Sequence, residues 1–292
     1  MTRIEAARKG IVTDEFRAVA SVEGVSAEDL VSDIAAGRTV IPVSSIHNIR
    51  PVGVGKGLKV KINANIGTSK DKASIDEELG KLDAIVRYGA DAVMDLSTGG
   101  PIRDIRRLLT NRSPIPVGTV PIYEAVVAAV ERHGNISRMT VDELFQVIEA
   151  HAAESVDFVT VHSGLTRRAI ERLRNEGRLL DIVSRGGSFL LEWMVYNDRE
   201  NPLYEHYDRL LDIAKKYDMT LSLGDGLRPG CLADATDRSQ IEELLTIGEL
   251  HDIALKEGVQ TIIEGPGHVP LNQVELNIKI QKEICNGAPF YV

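Results

Sequence analysis

Three short groupings carry residues able to do chemistry. Leu223-Gly224-Asp225-Gly226-Leu227-Arg228-Pro229-Gly230 sets a carboxylate three residues from a guanidinium on a glycine-rich turn. Such a pair holds a polar substrate or makes a structural ion pair. Glu264-Gly265-Pro266-Gly267-His268 puts a carboxylate and an imidazole on a sharply bent loop, where His268 suits a metal ligand or a proton carrier, although a lone loop histidine is commonly neither. Ser184-Arg185-Gly186-Gly187-Ser188 follows an apolar run and enters a helix. Its glycines let the backbone approach a ligand, the helix start offers free N–H groups, and Arg185 brings positive charge, so a phosphate fits. A tight turn with an exposed arginine is the plain alternative.

The elements that must position these groups follow a regular alternation from Leu58 onward. LKVKINANIG precedes a helix over 74–88, DAVMDLSTGG one over 102–109, and IPVGTVPI helices near 124–132 and 141–153. DFVTVHSG precedes a helix over 166–176, LDIVSRGGS one from Phe189, MTLSLGDG one over 238–257, and VQTIIEGPGH one over 271–285. Strands alternating with helices imply βαβ units and a parallel sheet. Seven strands precede Pro289–Val292, which reads as the opening of an eighth, so the expected fold is a (β/α)8 TIM-type barrel cut within strand 8. Each strand ends in polar residues: Asn63 and Asn65, Asp95 and Ser97, Tyr123, His162 and Ser163, Ser184 and Arg185, Asp225 and Arg228, Glu264 and His268. In such a barrel the C-terminal strand ends meet at one mouth. A doubly wound sheet is the competing fold, but it leaves that recurrence unexplained. Residues 1–57 read as a small helical region and arm, with Ser26 as an N-cap, and 58–292 as the barrel.

The totals agree with one α/β protein. Of 292 residues, 43% are hydrophobic and only 4% aromatic, so the core is aliphatic. A net charge of -9 argues against a general nucleic-acid binder, which needs a basic face. No apolar run is long enough to span a bilayer, and MTRIEAARKGIVTDEF lacks the apolar stretch of a secretory signal. The expectation is a cytoplasmic protein without nucleic-acid or membrane partners. Cys231 and Cys285 are the only cysteines; they form no CxxC pair, and Cys231 reads as a packing residue. Trp193 and Met194 read as core, and the histidines at 47, 133, 151, 206 and 251 as surface or packing residues.

INANIGTS, VMDLSTGG, PVGTVPIY, IVSRGGS, LSLGDGLRPG and IEGPGHVP, in this order, resemble the phosphomethylpyrimidine synthase family, and the resemblance runs from EAARKGIVT to APFYV. It implies a radical enzyme that rearranges 5-aminoimidazole ribonucleotide into the hydroxymethylpyrimidine phosphate of thiamin, using S-adenosylmethionine and a 4Fe-4S cluster. It implies a substrate pocket of Asn65, Met94, Tyr123, His162, Ser184, Arg185, Gly186, Asp225, Arg228 and Glu264, with Asp225 and Glu264 as the catalytic acids. It implies His268 as one ligand of a mononuclear zinc or iron, and a homodimer.

Two departures accompany the resemblance. The family's three cluster cysteines are absent, so the expectation is a polypeptide represented in part, which binds substrate without starting a radical. Ser44 stands where the family has an asparagine, which keeps open a sister enzyme, 5-hydroxybenzimidazole synthase of anaerobic cobalamin synthesis, acting on the same substrate. A non-catalytic ribonucleotide-binding module and a metal-dependent hydrolase are the readings from other classes; the second has too few converging ligands.

Overall fold

A computed structural model describes residues 1–292, the side chain of Glu176 excepted. Three helices open the chain: α1 (Arg3–Arg8), α2 (Asp14–Glu23) and α3 (Ala27–Ala35). Thr2, Thr13 and Ser26 each accept an N–H of the first turn, so all three helices begin at hydroxyl caps. Two-residue strands β1 (Thr39–Val40) and β2 (Val54–Gly55) pair antiparallel after them. Ile4, Phe16, Leu30, Ile34 and Ile41 bury together as the core of this region.

The main sheet contains β3 (Asn63–Ile66), β4 (Ala92–Asp95), β5 (Val117–Thr119), β6 (Phe158–Val161), β7 (Thr220–Leu223), β8 (Thr261–Glu264) and β9 (Phe290–Tyr291). All pair parallel, in sequence order. Between them run α4 (Ile75–Arg87), α5 (Ile102–Arg112), α6 (Pro121–His133), α7 (Val141–Ala153), α8 (Arg167–Glu176), α9 (Arg185–Asn197), α10 (Pro202–Glu205), α11 (Tyr207–Tyr217), α12 (Arg238–Glu257) and α13 (Val274–Ile284). The sheet curls until its first and last strands meet: Asn63 Nδ2 donates to the Tyr291 hydroxyl at 3.0 Å and to Asn65 Oδ1 at 2.9 Å. The expected TIM-type β/α barrel is therefore present, its β3–β9 seam bridged by side chains.

The period-2 alternation of strands sorts residues to two sides. Val93 packs with Leu82, Ile105 and Leu109 of the covering helices, and Val159, Val161, Leu221, Leu223 and Ile263 join a second helix-covered cluster. Each such side chain contributes about 1.5–3 kcal/mol on burial. The intervening positions, Gly118, Phe158, Thr160, Ser222 and Glu264, turn inward.

One expected strand is not in the sheet. Residues 180–184 make no ladder pairing, and β6 pairs directly with β7 over four registers. With those ladders satisfied by each other, the segment has no edge to join. Asp181 sits at a positive φ of 48°, and the Leu179 and Leu180 N–H groups are taken by Asp234. The helix expected from Phe189 begins instead at Arg185, under its Ser184 cap.

At the N-terminal pole, Gln260 exchanges hydrogen bonds with Ile41 at 2.8 and 3.1 Å. Buried Asp157 accepts from the N–H groups of Ser44 (2.8 Å) and Val117 (2.7 Å) and pairs with His47 at 2.8 Å. His47 thus clamps the N-terminal region to the barrel. Trp193 and Met194 are core, as expected.

Candidate active site at the barrel mouth

Glu264, last residue of β8, points inward and takes both the Thr160 and Ser222 hydroxyls on Oε1, each at 2.7 Å. Oε2 is left to the mouth. Asp225, two residues past β7, accepts from Arg228 at 3.1 Å. Both carboxyls are buried. Burial raises Asp225 against the pull of Arg228. Burial and then the charge of Asp225 raise Glu264, against its two hydroxyl bonds. Two acids so placed do not both ionise readily: one keeps a proton into the neutral range while the other accepts one.

Facing them is the start of α9. Ser184 Oγ accepts the Gly187 N–H at 3.1 Å and meets His162 Nε2 at 3.2 Å. Burial, with Arg228 nearby, lowers His162 to about 3, so it is a neutral ring. Gly186 is obligatory here: a Cβ would stand 2.3 Å from His162 Cε1. The N–H groups of Arg185 and Gly186 are left at the positive end of a 13-residue helix, an end that suits an anion. The Arg185 guanidinium lies 5.5 Å from the Tyr123 ring centroid, within cation–π range, and Phe189 meets that ring edge-on at 6.3 Å. Burial raises the Tyr123 hydroxyl, opposed by Arg185 and Arg228. A cavity of about 430 Å³ opens beside them, lined by Tyr123, Arg185, Phe189, Lys70 and Thr98 among others.

The mouth thus gathers Tyr123, His162, Ser184, Arg185, Gly186, Asp225, Arg228 and Glu264. Asn65 belongs to its far side. Tyr291, bonded to Asn63, lies close enough to Glu264 and Asp225 for their charges to raise its hydroxyl, after burial. Met94 is buried in the barrel wall. Asp95 and Ser97 turn away into their own loop, Asp95 accepting the Ser97 N–H at 2.9 Å and Ser97 Oγ accepting the Thr68 N–H at 3.1 Å. Ser163 is buried outright. His268 stands apart, exposed on the loop after β8. Sequence reasoning missed Lys70, Thr98 and Tyr291. Lys70 and Thr98 follow strand ends by only a few residues, and Tyr291 lies on the last strand, so the strand-end pattern contained all three.

The thiols and other donors present suit neither a cluster nor a metal ion. Cys285 is buried, with its thiol pushed up to about 12 chiefly by burial, and half-buried Cys231 donates to Asp234 at 3.4 Å. These two do not fit an iron–sulfur cluster held by closely spaced thiolates. Among the described residues no three His, Cys, Asp or Glu side chains gather to hold a metal ion. No described helix is long and apolar enough to cross a membrane.

Fold and mouth together define a β/α-barrel protein with two buried acids facing a helix start that suits an anion. Its sequence narrows that class. The Radical SAM ThiC family matches residues 2–292, and the chain belongs to that family. It is similar to the phosphomethylpyrimidine synthase of Thermodesulfovibrio yellowstonii, 64% identical over 292 residues. Those of Moorella thermoacetica and Geobacter metallireducens are 60% and 58% identical over 293 residues. All of this chain is covered in each match, and 67–68% of each relative. Radical SAM families use S-adenosylmethionine and an iron–sulfur cluster.

Proposed function

We propose that this chain is the substrate-binding barrel of a radical S-adenosylmethionine lyase. The reaction is the rearrangement of 5-aminoimidazole ribonucleotide to 4-amino-5-hydroxymethyl-2-methylpyrimidine phosphate in thiamin biosynthesis. One observation carries the reading: the free N–H groups at the Ser184–Gly186 helix start face two buried acids, Asp225 and Glu264, whose protons burial holds on, across a single mouth. The phosphate takes the free N–H groups of α9 and the Arg185 guanidinium. Tyr123 and Asn65 flank the sugar and base. Asp225 and Glu264 hold and move protons at the base, one as acid and the other as base. Arg228 keeps Asp225 the more readily ionised of the two.

Bound S-adenosylmethionine and its cluster would supply the radical; the two thiols of this chain do not fit that cluster. His268, exposed and single, is at most one ligand of a mononuclear zinc or iron. We take the working form to be a cytoplasmic homodimer.

5-Hydroxybenzimidazole synthase stays the alternative reading; Ser44, the residue that raises it, lies at the opposite pole from the mouth with its N–H on Asp157.

Titration calorimetry with the ribonucleotide tests the proposal. Saturable binding is expected, weakened at least tenfold (about 1.4 kcal/mol) in Arg185→Ala, since a charge-assisted phosphate contact is worth about that or more. Undetectable binding, or equal binding by Arg185→Ala, would sink it.

A further inference from the structure

Behind the Asp225 turn lies a third buried acid. Glu243, on α12, is 2% exposed. Its Oε2 accepts the Leu227 N–H at 2.7 Å, and the Gly226 N–H also supports the carboxyl. Oε1 has no partner among the described residues and lies 2.9 Å from where a Cβ of Gly226 would stand. Beside it is a cavity of about 20 Å³ walled by Asp225, Glu264, Glu243, Gln240, Asn277 and Gln281 among others. Gln281 Oε1, in the same wall, is likewise buried and unpartnered. About 10–15 Å³ admits one water, provided polar partners surround it. The space is of the right size, and between largely apolar walls that include Leu244, Ile247 and Phe290 it leaves two buried oxygens without a hydrogen-bond partner.

We propose that this cavity is a one-water site, and that Glu243 is a positioning residue for the mouth which stores a proton and exchanges it, through that water, with the Asp225–Glu264 pair. The inference rests on the function proposed above. In the forward step the Glu243 O–H bond breaks as a water O–H forms, and the water passes its other proton to the ionised member of the pair. The Glu243 carboxylate left behind is held by the Gly226 and Leu227 N–H groups. One proton moves, no electron does, and the reverse path reloads the store.

The surroundings agree. Burial pushes Glu243 up to about 8, with Asp225 raising it further and Arg178 opposing. The charged groups around it are therefore Asp225 and Glu264 at the mouth, Arg228 beside Asp225, and Arg178, which donates to Leu227 O at 2.6 Å. At neutral pH Glu243 carries its proton.

Two measurements need no ligand. A high-resolution crystal structure of this chain is expected to hold one water bonded to Glu243 Oε1 and Gln281 Oε1; a cavity closed by side chains overturns the water site. Infrared titration is expected to show a protonated-carboxyl carbonyl band that fades as pH passes about 8 and is missing from Glu243→Gln. A band indifferent to that substitution overturns the proton store. A third measurement asks whether the store is connected. Calorimetry of ribonucleotide binding in buffers of differing ionisation enthalpy is expected to show proton exchange in the parent chain that is lost in Glu243→Gln, whose amide oxygen still accepts the Leu227 N–H. It should be lost as well in Gln281→Met, which keeps the side chain's size but takes away the oxygen that holds the water, while leaving Glu243 in place. Proton exchange unchanged in both variants overturns the relay. Failure of the parent chain to bind the ribonucleotide would sink the function while the ligand-free measurements still decide the water and the store.

Discussion

Gly186 and His162 show how closely single residues are fitted at the mouth. Gly186→Ala drives a methyl into the imidazole. It is expected to cost about 1–3 kcal/mol of stability by overpacking, read by urea denaturation, and to weaken ribonucleotide binding at least tenfold by tilting the α9 start. A normally stable, normally binding variant would count against the anion site. His162 has a pH signature. Its folded-state value, about 3, is depressed below the ordinary 6.5, so the unfolded chain binds the extra proton. Its contribution to stability is present above pH 6.5 and is lost as pH falls toward 3, at about 1.4 kcal/mol per pH unit. His162→Phe is expected to flatten that limb in a pH series of denaturation curves. In the sequence, the mouth residues were legible because each follows an apolar run, even Ser184 and Arg185, whose run does not enter the sheet. Glu243 was not, because nothing in IEELL says which glutamate turns inward; only the packing of α12 against the Asp225 turn decides it.

Helices carry most of what the sequence discloses, because their starts are written locally. Ser74, Thr140, Thr166 and Asp237 cap the helices expected near them. α9 was misjudged because Gly186 and Gly187, poor helix formers, fill its first turn, and its Ser184 cap read as strand. Long-range pairing was illegible. Arg106 of α5 is 1% exposed and joins Glu124 of α6, Glu154 just past α7 and His151 of α7. Burial would raise Glu124, but His151 and Arg106 outweigh it and hold the carboxyl at about 2. Arg106→Ala takes the buried guanidinium from both acids, leaving Glu124 with His151 and Glu154 with Arg103. A loss of about 1–3 kcal/mol is expected by chemical denaturation, and no measurable loss would mean that the remaining partners hold the site.

For the whole molecule, parallel topology and strand order were readable from the alternation of strands and helices, whereas attachment of the first 57 residues was not. That join draws on Asp157, an acid at the start of β6 whose partners lie far off in sequence. Asp157→Ala leaves two buried N–H donors without acceptors, each costing about 1–3 kcal/mol. It is expected to lower stability by about 2–6 kcal/mol and to make the segment before Leu58 the first to be cut in limited proteolysis. Unchanged cleavage order would show that the other ties, among them Gln260 with Ile41 and Arg3 with Asp218, hold the segment without Asp157. The barrel floor has a separate consequence. Phe158 fills the space over Gly118, where even a Cβ would stand 2.2 Å from the ring, and Gln260 with Ile41 crosses the pole beneath it. That end is plugged, so whatever enters at the mouth must leave by the same doorway, and anything lying across that doorway sets the pace of arrival and departure together.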